Sequence, residues 1–326
     1  MKTCLAVPAG ALRRTFLPEE NLNLARKLGG YCFFDETPGR IDADVYATIW
    51  GSPRLDEQLL DRMPHVRLLT HFGGTVVPFV SDALWERGIR VISGNDYFAF
   101  SVAEGVIGYM LASLRDIPFY SRRLQKDHIW KTEDDFSAGL RGRTVGLVSY
   151  GAIARHLVKM LQPFGVKIKV YDIVPIPEEH KALYGIEQVP LEEIFASSDI
   201  ISVHTPLYEQ TVHLIGKPLF DKIKDGTLFI NTSRGAILDQ HALEEALKTG
   251  RFRAVLDVYE QEPPQADCPL YDLPNVLMMP HMAGPTVDLR RLIAAELLKE
   301  SAAFIDNGAP LKHEITREAA KRMSAH

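Results

Sequence analysis

The chain is poor in cysteine: it has three in 326 residues, Cys4, Cys32 and Cys268, far apart and with no CxxC pair. That spacing suggests neither a disulfide framework nor a zinc site and fits a reducing compartment, so a cytoplasmic location is expected. A basic excess is also missing. The 42 acidic and 37 basic side chains leave a formal net charge of -5, which offers no general attraction to nucleic-acid phosphates. Long hydrophobic runs are lacking too. The apolar part of "MKTCLAVPAGALRRTF" is too short for a signal-peptide core, and "GVIGYMLASL" (105–114) falls well below the roughly 20 residues that span a bilayer. A soluble, unprocessed protein with no nucleic-acid or membrane partner is expected. There is no internal repeat, low-complexity tract or long linker.

What the sequence does have is a hydrophobic content of 46%, enough for large cores, in a chain long enough for two domains. Short apolar runs alternate with helix-like segments. "TCLAV", "YCFF", "VYATIW", "RLLTHF" and "IRVIS" read as buried strands, with "LDEQLLDRM" and "VSDALWERG" as amphipathic helices between them. A long helix, "SVAEGVIGYMLASLRDI", and a polar stretch, "KDHIWKTEDDFSAGLRGR", precede a second series: "TVGLVSY", "KIKVYD", "DIISVH", "GTLFINTS", "FRAVLDVY" and "VLMMPH". A last helix, "TVDLRRLIAAELLKESAAFIDNG", is stopped by Gly308 and Pro310. The pattern predicts an α/β fold with two doubly wound parallel sheets.

The stretch "VGLVSYGAIARH" (145–156) almost spells GxGxxG, but Ser149 stands at the first glycine and Ala154 at the third. Only Gly151 remains, at the position that lets a backbone approach a pyrophosphate. The setting is nevertheless the one a dinucleotide turn requires: a strand, a turn at Gly151, and an amphipathic helix "AIARHLVKMLQPFG". Some twenty residues on, the next strand ends in Asp172. A carboxylate there can accept hydrogen bonds from the adenosine ribose and would repel a 2′-phosphate, which favours NAD over NADP; the alternative is a plain loop cap.

Three further strand ends carry chemistry. "FINTSRGAILD" delivers Arg234, whose planar guanidinium can grip a carboxylate through two hydrogen bonds. "AVLDVYEQEPP" supplies Asp257, Glu260 and Glu262, and "VLMMPHMAG" supplies His281. Reversible hydride transfer to a 2-oxo acid needs such parts: a cation for the carboxylate, a proton donor for the developing alkoxide, and an acid beside that donor. His204, His213 and His281 do not suggest a metal site, because no pair has HxxxH spacing and no cysteine accompanies them. Core packing is expected for His71 and Trp85.

Taken together, "SVAE" (101–104), "VGLVSYGAIAR", "DIISVHTPLYEQT" (199–211), "INTSRGAILD" (230–239), "LDVYEQEP" and "PHMAG" show that nearly the whole chain resembles the D-isomer-specific 2-hydroxyacid dehydrogenases. The resemblance implies a Rossmann-like NAD-binding domain (99–285) inserted into a flavodoxin-like substrate domain (1–98 and 286–326). It implies His281 as acid/base, Glu262 as its partner, since it stands directly before Pro263, and Arg234 as substrate anchor. It places the NAD cofactor against Gly151, Ala152 and Ile153 at the pyrophosphate and Asp172 at the ribose. Thr205, Pro206 and Thr211 fall on the adenine side with His204 nearby, Thr232 and Ser233 beside Arg234, and Asp257 and His281 at the nicotinamide. The amides of Gly73, Gly74 and Thr75 match the loop that receives the substrate carboxylate, although Gly-Gly-Thr departs from the usual glycine, apolar residue, glycine. A homodimer is implied, with "SRRLQKDHIWKTEDDFSAGLRG" as a contact arm. The expected activity is NAD-dependent interconversion of a D-2-hydroxy acid and its 2-oxo acid. The alternative is an NAD(H)-binding sensor or corepressor that uses the same fold.

Overall fold

A computed structural model describes residues 1–323. The chain forms two compact units, one of Met1–Ser101 with the segment from Pro285 onward, the other of Val102–Gly284. In sequence, the second unit thus lies between the two segments of the first.

In the first unit, β1 (Thr3–Ala6), β2 (Tyr31–Phe33), β3 (Val45–Thr48), β4 (Leu68–His71) and β5 (Arg90–Ser93) make one sheet in the order β2-β1-β3-β4-β5. Every pairing is parallel, and this is the flavodoxin-like order. Successive side chains enter opposite cores. Cys4, Tyr46, Leu69 and Val91 pack on one face with Leu59 and Leu84, while Leu5, Val45, Leu68 and Ile92 pack on the other with Phe16, Ile293 and Leu297. With both faces covered, the strands read as continuous apolar runs. Asp56 and Ser81 cap the helices Glu57–Arg62 and Asp82–Glu86 by accepting from the Leu59 and Leu84 amides. The final helix, Val287–Asn307, ends at Gly308 with φ +66°, a left-handed stop that glycine adopts freely.

The second unit contains β6 (Thr144–Val148), β7 (Lys167–Tyr171), β8 (Ile186–Gln188), β9 (Ile200–Val203), β10 (Leu228–Asn231), β11 (Arg253–Leu256) and β12 (Val276–Met278). They form one parallel sheet in the order β12-β11-β10-β9-β6-β7-β8. The order reverses between β6 and β9, the Rossmann-type switch point at whose carboxyl ends ligands bind. On β10, Leu228 and Ile230 enter one core and Phe229 the other.

Three elements differ from the sequence expectation. β8 reads "IEQ", too short and too polar to register as a strand. A separate helix, Ile117–Asp127, precedes the polar stretch. The long helix begins at Asn95 rather than Ser101 and runs for 20 residues to Leu114, so it is long and apolar enough to cross a membrane by length and composition, unlike the ten-residue run considered in isolation. Its Ala103, Val106, Met110 and Leu114 fill the second unit's core beside Leu147 and Leu157, which accounts for its apolar character.

Candidate active site

The switch point brings the residues after β6 next to those after β9. Ser149 has φ +79°, the left-handed region that glycine enters without strain. Two contacts hold it there. Its N–H donates to the Tyr171 carbonyl at 2.7 Å, and its hydroxyl lies 2.9 Å from that of Thr205. The serine therefore adopts the turn conformation that the first glycine of the motif normally serves.

Gly151 is the N-cap of the helix Ala152–Leu161, which carries no side-chain cap. A Cβ on Gly151 would meet no atom within 4 Å. The protein's own packing does not require glycine there, whereas an anion approaching the free first-turn amides of Ala152 and Ile153 would. Ala154, at the third position, is fully buried against the core. The turn thus fits a dinucleotide.

Asp172 follows β7 and does what a loop cap does: one carboxylate oxygen accepts from Tyr150 N–H at 2.7 Å and the other from Val174 N–H at 2.8 Å. It remains only half-buried, and each oxygen retains a further acceptor position. Loop capping and ribose binding are therefore compatible. Ile173 and Val174, next in the chain, expose their apolar side chains.

Past β9, His204 is buried with no hydrogen-bond partner on either ring nitrogen. Burial depresses its pKa to about 3, so the ring is neutral. Thr205 follows it, bonded to Ser149. The Thr211 hydroxyl is occupied within its own loop, donating to the Pro206 carbonyl at 2.8 Å and accepting from Tyr208 N–H at 3.0 Å. Past β10, the Thr232 hydroxyl is buried and unpartnered, while Ser233 is tied to the Asn231 side chain through both its N–H and its hydroxyl. Buried polar atoms without partners call for an explanation. A ligand at this sheet edge would supply one for His204 and Thr232.

Arg234, Glu262 and His281 follow β10, β11 and β12. The loop at Arg234 lies so close to the next one that a Cβ on Gly235 would fall 1.8 Å from the Tyr259 carbonyl carbon. Glycine is therefore obligatory where these two loops meet. Arg234 donates to the Ser233 carbonyl at 2.8 Å; burial lowers its pKa and the Glu262 charge opposes that shift. Glu262 Oε2 lies 2.8 Å from His281 Nδ1, and Oε1 accepts from Tyr259 N–H at 3.0 Å. Glu260 faces elsewhere, pairing with His213 Nε2 at 2.8 Å. Asp257 is fully buried, and its carboxylate accepts from Tyr109, Met282 and Ala283. Tyr109 was not singled out in the sequence, where it is one more aromatic in an apolar helix.

Gly73, Gly74 and Thr75 belong to the first unit, directly after β4. His71, at the end of β4, is buried, stacks on Phe79 with ring centroids 4.3 Å apart, and has Nδ1 3.0 Å from the Thr48 hydroxyl. Its Nε2 faces the loop so closely that a Cβ on Gly73 would lie 2.3 Å from it. This contact explains why the loop starts with glycine.

Residues 107–283 match the model of the D-isomer specific 2-hydroxyacid dehydrogenase NAD-binding domain. The chain is 30% identical over 284 residues to a glyoxylate reductase of Korarchaeum cryptofilum, covering 86% of this chain and 85% of that one. It is 32% identical over 263 residues to a D-3-phosphoglycerate dehydrogenase of Archaeoglobus fulgidus, covering 80% of this chain and 49% of that one; the match thus spans about half the length of that relative. Among solved structures, a phosphoglycerate oxidoreductase from Rhizobium etli superposes with a TM-score of 0.79 at 26% identity, covering 97% of this chain and 98% of that one. On its sequence and its architecture, the chain belongs to the D-isomer specific 2-hydroxyacid dehydrogenase family.

Proposed function

We propose that the protein is an NAD-dependent oxidoreductase that interconverts a D-2-hydroxy acid and the corresponding 2-oxo acid. The observation that carries this reading is the grouping after neighbouring strands of a cation, Arg234, with His281 held 2.8 Å from Glu262. Gly151, Ala152 and Ile153 would hold the pyrophosphate and Asp172 the ribose. His204, Thr205, Pro206 and Thr211 would lie along the adenine side, and Thr232, Ser233 and Asp257 toward the nicotinamide. When bound, NAD supplies or accepts the hydride at the substrate's C2 carbon.

The remaining chemistry belongs to the chain. Arg234 keeps guanidinium donors beyond the one used on Ser233 and would bind the substrate carboxylate; in the first unit, Gly73, Gly74 and Thr75 are the proposed substrate-binding residues. Glu262 fixes His281 through Nδ1, so that Nε2 is the nitrogen that gives its proton to the carbonyl oxygen in reduction and takes it back in oxidation. Proton transfer by a positioned side chain typically contributes about 10²–10⁴-fold.

Absorbance at 340 nm, chosen as the reporter of reduced nicotinamide, would follow NADH oxidation with glyoxylate, hydroxypyruvate, pyruvate, phosphohydroxypyruvate and bulkier 2-oxo acids. Turnover with at least one is expected, and His281→Ala should lower it by about 100-fold or more with NADH binding retained. Tight NADH binding with no turnover on any acid would overturn the assignment in favour of a nucleotide sensor.

Two further proposals concern its setting. A second copy of the chain is the proposed partner: the helix Ile117–Asp127 and the residues after it expose Phe119, Trp130 and Phe136, a concentration of apolar surface that suits an interface. Sedimentation as a monomer at micromolar concentration would contradict it. Three free cysteines suit the reducing cytoplasm.

A further inference from the structure

His281 stands at φ +55°, in the left-handed region that side chains other than glycine occupy only when their surroundings impose it. One residue imposes it. The His281 N–H donates to the Asp257 carbonyl at 2.9 Å, the Met282 N–H to Asp257 Oδ1 at 2.7 Å, and the Ala283 N–H to Oδ2 at 2.9 Å. Three successive amides thus converge on Asp257, two of them forming a concave anion seat for its carboxylate. The carboxylate is fully buried, and a buried charge needs every donor it can find.

The fourth donor comes from a distant part of the sequence. The Tyr109 hydroxyl donates to Asp257 Oδ1 at 3.0 Å. One helical turn earlier, Gly105 packs against the same segment so closely that a Cβ there would lie 2.5 Å from the Ala283 carbonyl oxygen. Residues four apart share a helix face, so Gly105 and Tyr109 together form the seat on which the segment 281–283 rests. Burial, and then the Asp257 charge, raises the Tyr109 pKa, which keeps the hydroxyl a donor.

We infer that Tyr109 is a positioning residue for His281, acting through the carboxylate of Asp257. The inference rests on the acid/base role proposed above for His281. Tyr109 touches neither reacting group. It completes the shell of the buried carboxylate, the carboxylate fixes the Met282 and Ala283 amides, and those amides hold the His281 backbone in the conformation that presents its ring to Glu262.

Tyr109→Phe removes one hydroxyl and retains the ring. Two readouts on the full chain test the idea: amide hydrogen exchange at Met282 and Ala283 without ligand, and steady-state kinetics with the best 2-oxo acid. Exchange at those amides should quicken roughly tenfold and kcat should fall roughly tenfold, the scale of one hydrogen bond to a charged group. KM for the acid should stay within about twofold, because Arg234 does not depend on Tyr109, and Kd for NADH should change less than kcat, because only Asp257 among the proposed cofactor residues bonds to Tyr109 and the turn at Gly151 is untouched. Unchanged exchange, an unchanged kcat, or an equal loss of NADH affinity would each overturn the inference. If the unaltered protein reduces none of the acids, the acid/base reading of His281 falls, and the inference falls with it only if exchange is also unchanged; quickened exchange would still support the positioning of the segment.

Discussion

His281 Nδ1 lies 2.8 Å from Glu262 Oε2, whereas Glu260, two residues earlier, lies 2.8 Å from His213 Nε2. Two acids on one loop thus serve two different histidines. Glu262→Gln retains the size of the side chain but removes the charge beside His281, so kcat should fall about 10- to 100-fold. Glu260→Gln disturbs an exposed pair and should leave kcat within about twofold. Equal losses in both variants would show that the loop as a whole matters and that Glu262 has no special part.

Gly151 offers a test that separates folding from cofactor binding. Because a Cβ there meets nothing within 4 Å and φ is -77°, Gly151→Ala should leave the melting temperature within a degree or two of the original, roughly the effect of a few tenths of a kcal/mol. The added methyl group would occupy the space before the helix N-terminus, and NADH affinity should fall about tenfold or more. Unaltered affinity in a folded variant would mean that the pyrophosphate does not pass this point.

Much of this was legible in the sequence, for a physical reason. Parallel strands covered on both faces are continuously apolar, so eleven of the strands announce themselves, and only "IEQ" in β8, with two polar residues among three, does not. The order of strand ends then predicts which residues share an edge of the sheet. Spacing along the chain could not say which way a loop turns. It left open whether Glu260 or Glu262 reaches His281, and whether Asp172 caps a loop or faces a ligand. It also could not show that Asp257 points inward. Those distinctions depend on contacts between residues far apart in sequence, such as Gly235 against Tyr259 or Tyr109 against Asp257.

Ser149 combines a cost and a compensation. Its φ of +79° strains a serine by roughly 1–2 kcal/mol relative to glycine, while its hydroxyl bond to Thr205 at 2.9 Å returns about 1 kcal/mol. Ser149→Gly should therefore be near neutral in urea unfolding, within about 1 kcal/mol, with NADH affinity equal or better. Both variants lose the bond, but Ser149→Ala keeps the strain, and it should be less stable than Ser149→Gly by that strain, roughly 1–2 kcal/mol. The opposite ranking would mean that the left-handed conformation carries no strain. A clear loss of affinity in Ser149→Gly would make the hydroxyl itself part of the cofactor site.

His71 and His204 should make the stability of the fold depend on pH. Both are buried, His71 completely, and burial alone lowers each from 6.5 to about 3. As pH falls through 6.5 the unfolded chain takes up a proton at each position and the folded chain does not. Their contribution is therefore fully present above about pH 6.5 and is lost progressively as pH falls toward 3, at up to about 1.4 kcal/mol per pH unit for each histidine. His71 belongs to the first unit and His204 to the second, so both units should lose stability. His71→Asn can retain a polar contact to the Thr48 hydroxyl while removing the titrating ring. Urea unfolding at pH 7 and pH 5 should show the first unit of the variant losing about 2 kcal/mol less than the original over that interval. An equal loss in both proteins would mean that the buried ring accepts a proton without unfolding, and that its environment is more polar than its complete burial implies.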